Sequence, residues 1–493
     1  MKKLLLVLLG IAAIAVIIYS VGAQDKTGFD RYFIDRTMRI DYYHTGDHRE
    51  EIVTLDRVYQ QGTWAGPVKN LLDPFLRGRY CARIYEASSG QLIYSRAFDS
   101  LFGEYKTTEE ALKGIKRTFH ESVLIPFPKS KIIFTLEARD RENNFHKIFS
   151  EEIDPASIFI VREKVEPGVK VLELVKSGHP HDKVDLAFLA EGYTAEEEAK
   201  LKKDLDRFVQ VFFSQEPYKS LKNRFNLYGV FKPSAESGCD EPSHGQFKQT
   251  ALNCTFDSFG SERYLLSEDN RRIRDVAASV PYDALMIMVN HNRYGGGGIY
   301  NLYCTFTTDN QWYEYLMLHE FGHSFTGLAD EYYTSQVAYN EFYPRGVEPV
   351  EPNITALLDP ARLKWRNLVA PGLPVPTPWE KEEFDRMDLA YQKIRQEVNE
   401  KIARMKREGA PQEEITRLEA ESERLSLEQA RKVDEFLARS QYAGKVGAYE
   451  GAGYSSTGLY RPAVDCIMFT KGQKPYCPVC QEAVRQMIEF YCR

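Results

Sequence analysis

Through the first third of the chain, apolar and polar residues alternate, the period of a half-buried strand. Tyr80-Cys81-Ala82-Arg83-Ile84-Tyr85 and Gln91-Leu92-Ile93-Tyr94-Ser95 flank a Ser88-Ser89-Gly90 turn and predict a β-hairpin. Lys131–Ala138 and Ile158–Val161 predict further strands. Together they predict an N-terminal β-sandwich of accessory character over residues 24–162. His44, His48, His120 and His146 lie there without ligand spacing and read as satisfied surface or turn side chains.

From about residue 163 the pattern becomes strand alternating with helix. Val184–Leu189 is a continuous apolar strand, followed by a helix over Ala195–Phe213 with Thr194 as its N-cap. Phe225–Val230 and Ala284–Val289 are further buried strands. Four glycines at 295–298 precede a strand at Ile299–Tyr303. The run reads either as a flexible loop or as a place where extended substrate backbone approaches a sheet edge. Within 376–440, Tyr391, Ile394, Val398, Ile402 and Met405 recur at steps of three and four. Gly409-Ala410-Pro411 breaks the pattern, and Ile415, Leu418, Leu425, Val433 and Leu437 resume it. This predicts an inserted helical hairpin with a narrow apolar seam and a solvated charged face, rather than a lid or partner-binding arm.

Ahead of both parts, Lys2-Lys3 and the apolar run Leu4–Ile18 lead to Val21 and Ala23, a signal peptide cleaved before Gln24. An uncleaved anchor is the alternative, because Leu4–Val21 is nearly long enough to span a bilayer. The expectation is therefore export. Losing residues 1–23 removes two lysines and moves the net charge of the 493-residue chain from −7 to −9. That mild acidity, with no basic tract, argues against nucleic acid and anionic membrane surfaces as partners.

The decisive stretch is His319-Glu320-Phe321-Gly322-His323. Histidines four apart on a helix share a face, so two imidazoles can reach one metal ion, the spacing of zinc peptidases. Glu320 can then serve as general base toward a water that zinc acidifies. Gly327 is placed to end the helix in a left-handed conformation and turn the chain back. Asp330 then follows as third ligand, with Glu331 as the alternative. Gln311–Leu318 predicts the buried helix that carries the motif. A structural helix with merely paired histidines is the plainer reading, and the acidic pair after the turn counts against it.

The sequence resembles the IgA-peptidase family of bacterial zinc metallopeptidases. The matching residues are His319–Phe325 with Gly327-Leu328-Ala329-Asp330-Glu331-Tyr332, Asp185–Thr194, Tyr294–Tyr300, Glu450–Tyr454 and Asp465–Met468. The resemblance spans roughly residues 165–493, and residues 25–160 are compatible with it. It implies a metzincin-like catalytic domain at 163–493, one catalytic zinc ion, and Met468 in a methionine turn beneath the metal. Relative to the common metzincin pattern, Gly327 and Asp330 each come one residue late. Tyr454 and Tyr460 are candidates for steadying the oxyanion.

Among the eight cysteines, Cys466, Cys477, Cys480 and Cys492 crowd the last segment. Disulfides, a four-thiolate structural zinc site and free thiols remain open for them. Cys239 and Cys254 are a further candidate bridge, whereas Cys81 and Cys304 read as strand residues. Asp185, Glu191, Asp309, His244 and His291 read as loop supports. The chain is expected to be an α+β or α/β exported zinc metalloendopeptidase acting on protein or peptide. A cell-wall peptide amidase and a non-catalytic protein- or glycan-binding protein that keeps the fold are the alternatives, and oligomeric state is left open.

Overall fold

The computed structural model describes residues 28–162, 166–334 and 343–492. The leader and its cleavage point lie outside them. Among the described residues no helix is long and apolar enough to cross a membrane.

Seven strands form the N-terminal part: β1 Phe33–Gly46, β2 Glu51–Gln60, β3 Tyr80–Glu86, β4 Leu92–Phe98, β5 Arg117–Pro128, β6 Ile132–Arg139 and β7 Phe145–Ile153. They make an antiparallel sheet in the order β2-β1-β5 and another in the order β4-β3-β6-β7. Met38, Ile40 and Tyr42 from the first share one core with Ile84, Phe134 and Leu136 from the second. The expected hairpin is β3–β4. Ile158–Val161 is not a strand. Asp154 accepts the Ala156 N–H and Ser157 Oγ accepts the Phe159 N–H, so side chains take these donors in turns. Ile158 and Phe159 are left exposed, and Val161 makes a single bridge to Tyr59. Nor is His44 a surface residue, since it is buried between Glu51 and Glu121 at 3.1 Å each.

The larger part is built on β8 Lys170–Val175, β9 Val184–Glu191, β10 Phe225–Phe231, β13 Ala284–Val289, β14 Gly296–Ile299 and β15 Tyr303–Thr307; β11 Cys254–Thr255 and β12 Leu266–Ser267 form a separate short pair. The six strands run in the order β14-β15-β13-β9-β10-β8, parallel at the centre and antiparallel at both edges. Central strands covered on both faces must be apolar throughout, which explains the continuous runs. Ala187, Leu189, Val230 and Ile287 face the N-terminal sheets. Leu186, Phe188, Leu227 and Met288 face the helices α1 Glu198–Phe212, α3 Tyr313–Thr326 and α6 Pro478–Cys492. Helix α2 Asn270–Ala277 packs on the first face, where Asp275 bonds Arg39 of β1 at 2.6 Å. The N-terminal sheets thus share a core with the six-stranded sheet.

The glycine run is itself a strand, and the expected strand Ile299–Tyr303 is mostly the turn of a hairpin. Asn301 stands at φ 56° there, and its amide donates to Ala97 O at 2.7 Å. Helices α4 Lys381–Arg407 and α5 Gln412–Ala438 form the insertion. Lys406 meets Glu419 and Asp388 meets Gln429, so they run antiparallel. Ile402, Ile415, Val433 and Leu437 of the expected seam are buried, whereas Ile394 is 47% exposed. Asn399 donates to Glu262 and Arg407 to Ser243 O, which ties the hairpin to the segment between β10 and α2. β16 Tyr449–Ala452 and β17 Ser455–Arg461 make a final small hairpin.

Candidate active site

Helix α3 ends at Gly327, in the left-handed region at φ 68°, ψ 38°. Its N–H donates to His323 O at 2.9 Å and the Leu328 N–H to Gly322 O at 3.2 Å. Glycine reaches this conformation without the Cβ clash that other residues meet. Arg77, from the N-terminal part, donates to Thr326 O at 2.6 Å and places a cation at the negative end of the helix.

After that reversal the three expected ligand atoms converge. Asp330 Oδ1 lies 3.0 Å from His319 Nε2 and 3.2 Å from His323 Nε2, and the two imidazole nitrogens are 3.1 Å apart. Both outer nitrogens are committed: His319 Nδ1 bonds Ile467 O at 2.9 Å and His323 Nδ1 bonds Leu328 O at 2.6 Å. A carbonyl accepts only a proton, so each Nδ1 carries one and each Nε2 is the atom left to face inward, where a proton or a metal ion can be held. Asp330 Oδ1 is a buried acceptor with no hydrogen-bond partner, and Tyr454 donates to Oδ2. Two inward imidazole nitrogens and a buried carboxylate oxygen fit a divalent cation.

The electrostatics agree. Burial alone would lower the His323 pKa, but the Asp330 carboxylate holds it up to about 9. Burial opposes charge on Asp330 too, yet the two histidines hold its pKa well below the usual range. A field that retains a proton between these groups favours a dication in its place. Glu320 borders the same cleft, and burial raises its carboxyl above the ordinary value despite the nearby histidines.

Glu331, the alternative third ligand, points away: its Oε1 accepts from Asn353 at 3.0 Å, and its N–H donates to Met468 O at 2.8 Å. Met468 is fully buried, and its sulfur lies 3.1 Å from where a Cβ on Gly322 would stand. Tyr460 does not line the cleft. Strand alternation turns Leu459 and Arg461 inward, while the Tyr460 backbone pairs with Thr355.

The cleft, about 130 Å³, is walled by the glycine strand, Arg263, Tyr264, Tyr294, Tyr332 and, from the N-terminal part, Asp99 and Glu104. The absent Cβ atoms matter here: one on Gly298 would stand 2.4 Å from Glu320 O, and one on Gly296 would stand 3.0 Å from Glu320 Oε1. Tyr332 stacks on His319 at 6.3 Å and accepts from Arg263 at 3.0 Å.

A family model described as IgA Peptidase M64 matches residues 172–488, and one described as Peptidase M64 N-terminus matches residues 28–150. The chain belongs to the IgA Peptidase M64 family. No curated protein matches it. As an M64 peptidase it is a metallopeptidase, a hydrolase of peptide bonds that takes a metal ion and a protein or peptide substrate.

The other sequence candidates fall outside this M64 cleft. Glu191 accepts from Thr250, Leu252 and Cys254 at 2.6–2.8 Å and shapes their loop. Asp185 bonds Asn226, Asp309 pairs with Lys200, and His244 and His291 both bond Glu241. Cys239 and Cys254 are buried and unbridged. Arg263 is no sequence candidate, and Tyr332 enters only as a residue of the matching sequence motif, directly after Asp330-Glu331, with no role of its own.

Proposed function

We propose that this M64 peptidase is an exported zinc-dependent metalloendopeptidase with a metzincin-like site held by His319, His323 and Asp330. The observation that carries the reading is the inward convergence of their three ligand atoms, with both outer imidazole nitrogens fixed by backbone carbonyls. When bound there, zinc supplies Lewis acidity toward a water and the scissile carbonyl. Glu320 takes the proton of the attacking water and passes it to the leaving amine, and its raised pKa suits a group that must both accept and release a proton. β14 lies at the edge of the sheet, where the Arg263–Leu265 segment already takes the outward N–H and carbonyl of Gly296. Arg263 offers a cation in the cleft for developing negative charge. Retention of Glu320 in the cleft favours an enzyme over a binding protein, because a purely structural metal needs no base beside it.

The test is hydrolysis of a peptide library by protein stripped of metal with a chelator and then reloaded with zinc. Cleavage should vanish on stripping and return on reloading; cleavage by fully stripped protein would overturn the proposal. Export is tested by sequencing the N-terminus of protein made in a native-like host, where Gln24 is expected first. An intact Met1 on membrane-bound material would contradict it.

A further inference from the structure

Directly behind Asp330, on the opposite side of the same segment, lies a second convergence of ligand atoms. A carboxylate oxygen of Glu331 and the Sγ atoms of Cys466, Cys477 and Cys480 all lie within 4.8 Å of one another, and all four residues are buried. We propose that Glu331, Cys466, Cys477 and Cys480 form a structural zinc site, separate from the cleft and not requiring the catalytic reading to hold.

The geometry separates this from a disulfide. Cys466 and Cys480 sulfurs stand 3.9 Å apart, against about 2.05 Å in a disulfide and ~3.8 Å for two thiolates across a tetrahedral ion with Zn–S near 2.3 Å. The backbone is arranged for sulfur as acceptor: the Cys477 N–H points to Cys466 Sγ at 3.2 Å and the Cys480 N–H to Cys477 Sγ at 3.5 Å. Such bonds stabilise thiolates and orient them toward a metal. Cys477 and Cys480 sit at the start of α6, where the helix end favours negative charge.

Glu331 completes the argument. Cys480 approaches its Oε1 at 3.3 Å, but Oε2 is buried without any hydrogen-bond partner. Leaving a carboxylate oxygen unpaired in the interior is costly, and coordination removes that cost. Three soft thiolates select zinc over calcium or magnesium, and a four-ligand set closed to solvent is the structural kind. Three thiolates and a carboxylate around Zn²⁺ leave a net charge of −2, and the buried Arg461 guanidinium lies within electrostatic reach of Glu331.

The site would hold the cleft in register from behind. Glu331 adjoins Asp330, and Cys466 adjoins Ile467, whose carbonyl fixes the His319 imidazole. One ion therefore clamps both segments that position the outer ligands.

Metal analysis of the full chain should give two zinc per chain, and one in the His319→Ala/His323→Ala double variant. With cobalt in place of zinc, that variant should show strong thiolate-to-cobalt absorption in the near ultraviolet. X-ray absorption of the wild-type zinc protein, which needs no variant to fold, should show sulfur at about 2.3 Å beside the nitrogen and oxygen shell. Cys466→Ser should lose one equivalent and the near-ultraviolet band. A folded double variant without metal, wild-type zinc without sulfur neighbours, or a disulfide among Cys466, Cys477 and Cys480 by mass spectrometry would each overturn the proposal. A wild-type protein with sulfur-bound zinc alone would instead overturn the cleft reading and leave this one standing.

Discussion

Asp330 and Glu331 are neighbours in sequence, yet their carboxylates belong to two different worlds. Asp330 turns to a cleft where two imidazoles and a carboxylate leave one side open, with Glu320 at the opening. Glu331 turns to three thiols in a pocket that substrate cannot enter. A metal with an open position can do chemistry, whereas a closed set of four only holds structure. The two consecutive side chains point to opposite sides of the segment, so a single step along the chain separates the two tasks.

If that division is right, Asp330→Ala has the largest effect. It removes the cleft's carboxylate ligand, so cleft metal and peptidase activity should disappear together while thiol-bound metal stays. Elemental analysis with a cleavage assay reads both. Loss of the thiol-bound metal instead would mean that the two clusters are not separable.

Glu320→Gln keeps the size of the side chain and removes its basicity. Cleavage should fall about a hundred- to ten-thousand-fold, the usual contribution of a general base, with metal content unchanged. Wild-type turnover in this variant would exclude Glu320 as the proton carrier. Tyr454→Phe acts one bond further out, on the hydroxyl that donates to Asp330 Oδ2. Removing such a partner typically costs about ten- to a hundred-fold in metal affinity. A competition titration against a chelator measures it, and an unchanged affinity would show that the tyrosine does not orient the ligand.

Proton and metal compete for the same cleft nitrogens. With His323 held up to about 9 by Asp330, apparent metal affinity should fall about tenfold for each pH unit below that value. In metal-free protein the sign reverses. A raised folded-state pKa gives stability that is complete below the ordinary histidine value, near 6.5, and is lost as pH rises through 9. Thermal unfolding of stripped protein should therefore weaken between those limits, while zinc-loaded protein does not follow that trend. Parallel behaviour of both forms would contradict the assignment of His323.

These contrasts also show what sequence could carry. Glu320, both histidines and Asp330 lie within twelve residues, so helix periodicity and one glycine turn were enough to bring them together. Arg77 and Arg263 reach the same site from far along the chain, and no local pattern announces them. The sequence leaves the four C-terminal cysteines open between disulfides, zinc and free thiols, and one of the four stands apart for a geometric reason. Cys492 lies twelve residues beyond Cys480 on one helix, roughly 18 Å away at 1.5 Å per residue. It ends beside Arg224 O instead, and the carboxylate that stands with the other three sulfurs is that of Glu331. Strand β1 was missed because its buried Arg39 and Asp41 neutralise each other at 2.7 Å, a pairing invisible to hydropathy.

The smallest expected effect tests the wall of the open cluster. Gly298 has no left-handed φ, so Gly298→Ala introduces no backbone strain; its cost is steric. The new Cβ would stand 2.4 Å from Glu320 O and 2.8 Å from His323 Cβ. Neither can yield freely, since one is helix backbone and the other carries an imidazole fixed by Leu328 O. Overpacking of this kind costs about 1–3 kcal/mol, and relief requires β14 and α3 to separate, which shifts Glu320 and His323 relative to Asp330. Both thermal stability and cleavage should therefore drop, with the thiol-bound metal unaffected. Gly62→Ala is the matched control, because nothing lies within 4 Å of its Cβ position. If Gly298→Ala matches that control in stability and activity, the glycine strand does not set the approach of the helix, and its run of four glycines needs another reason.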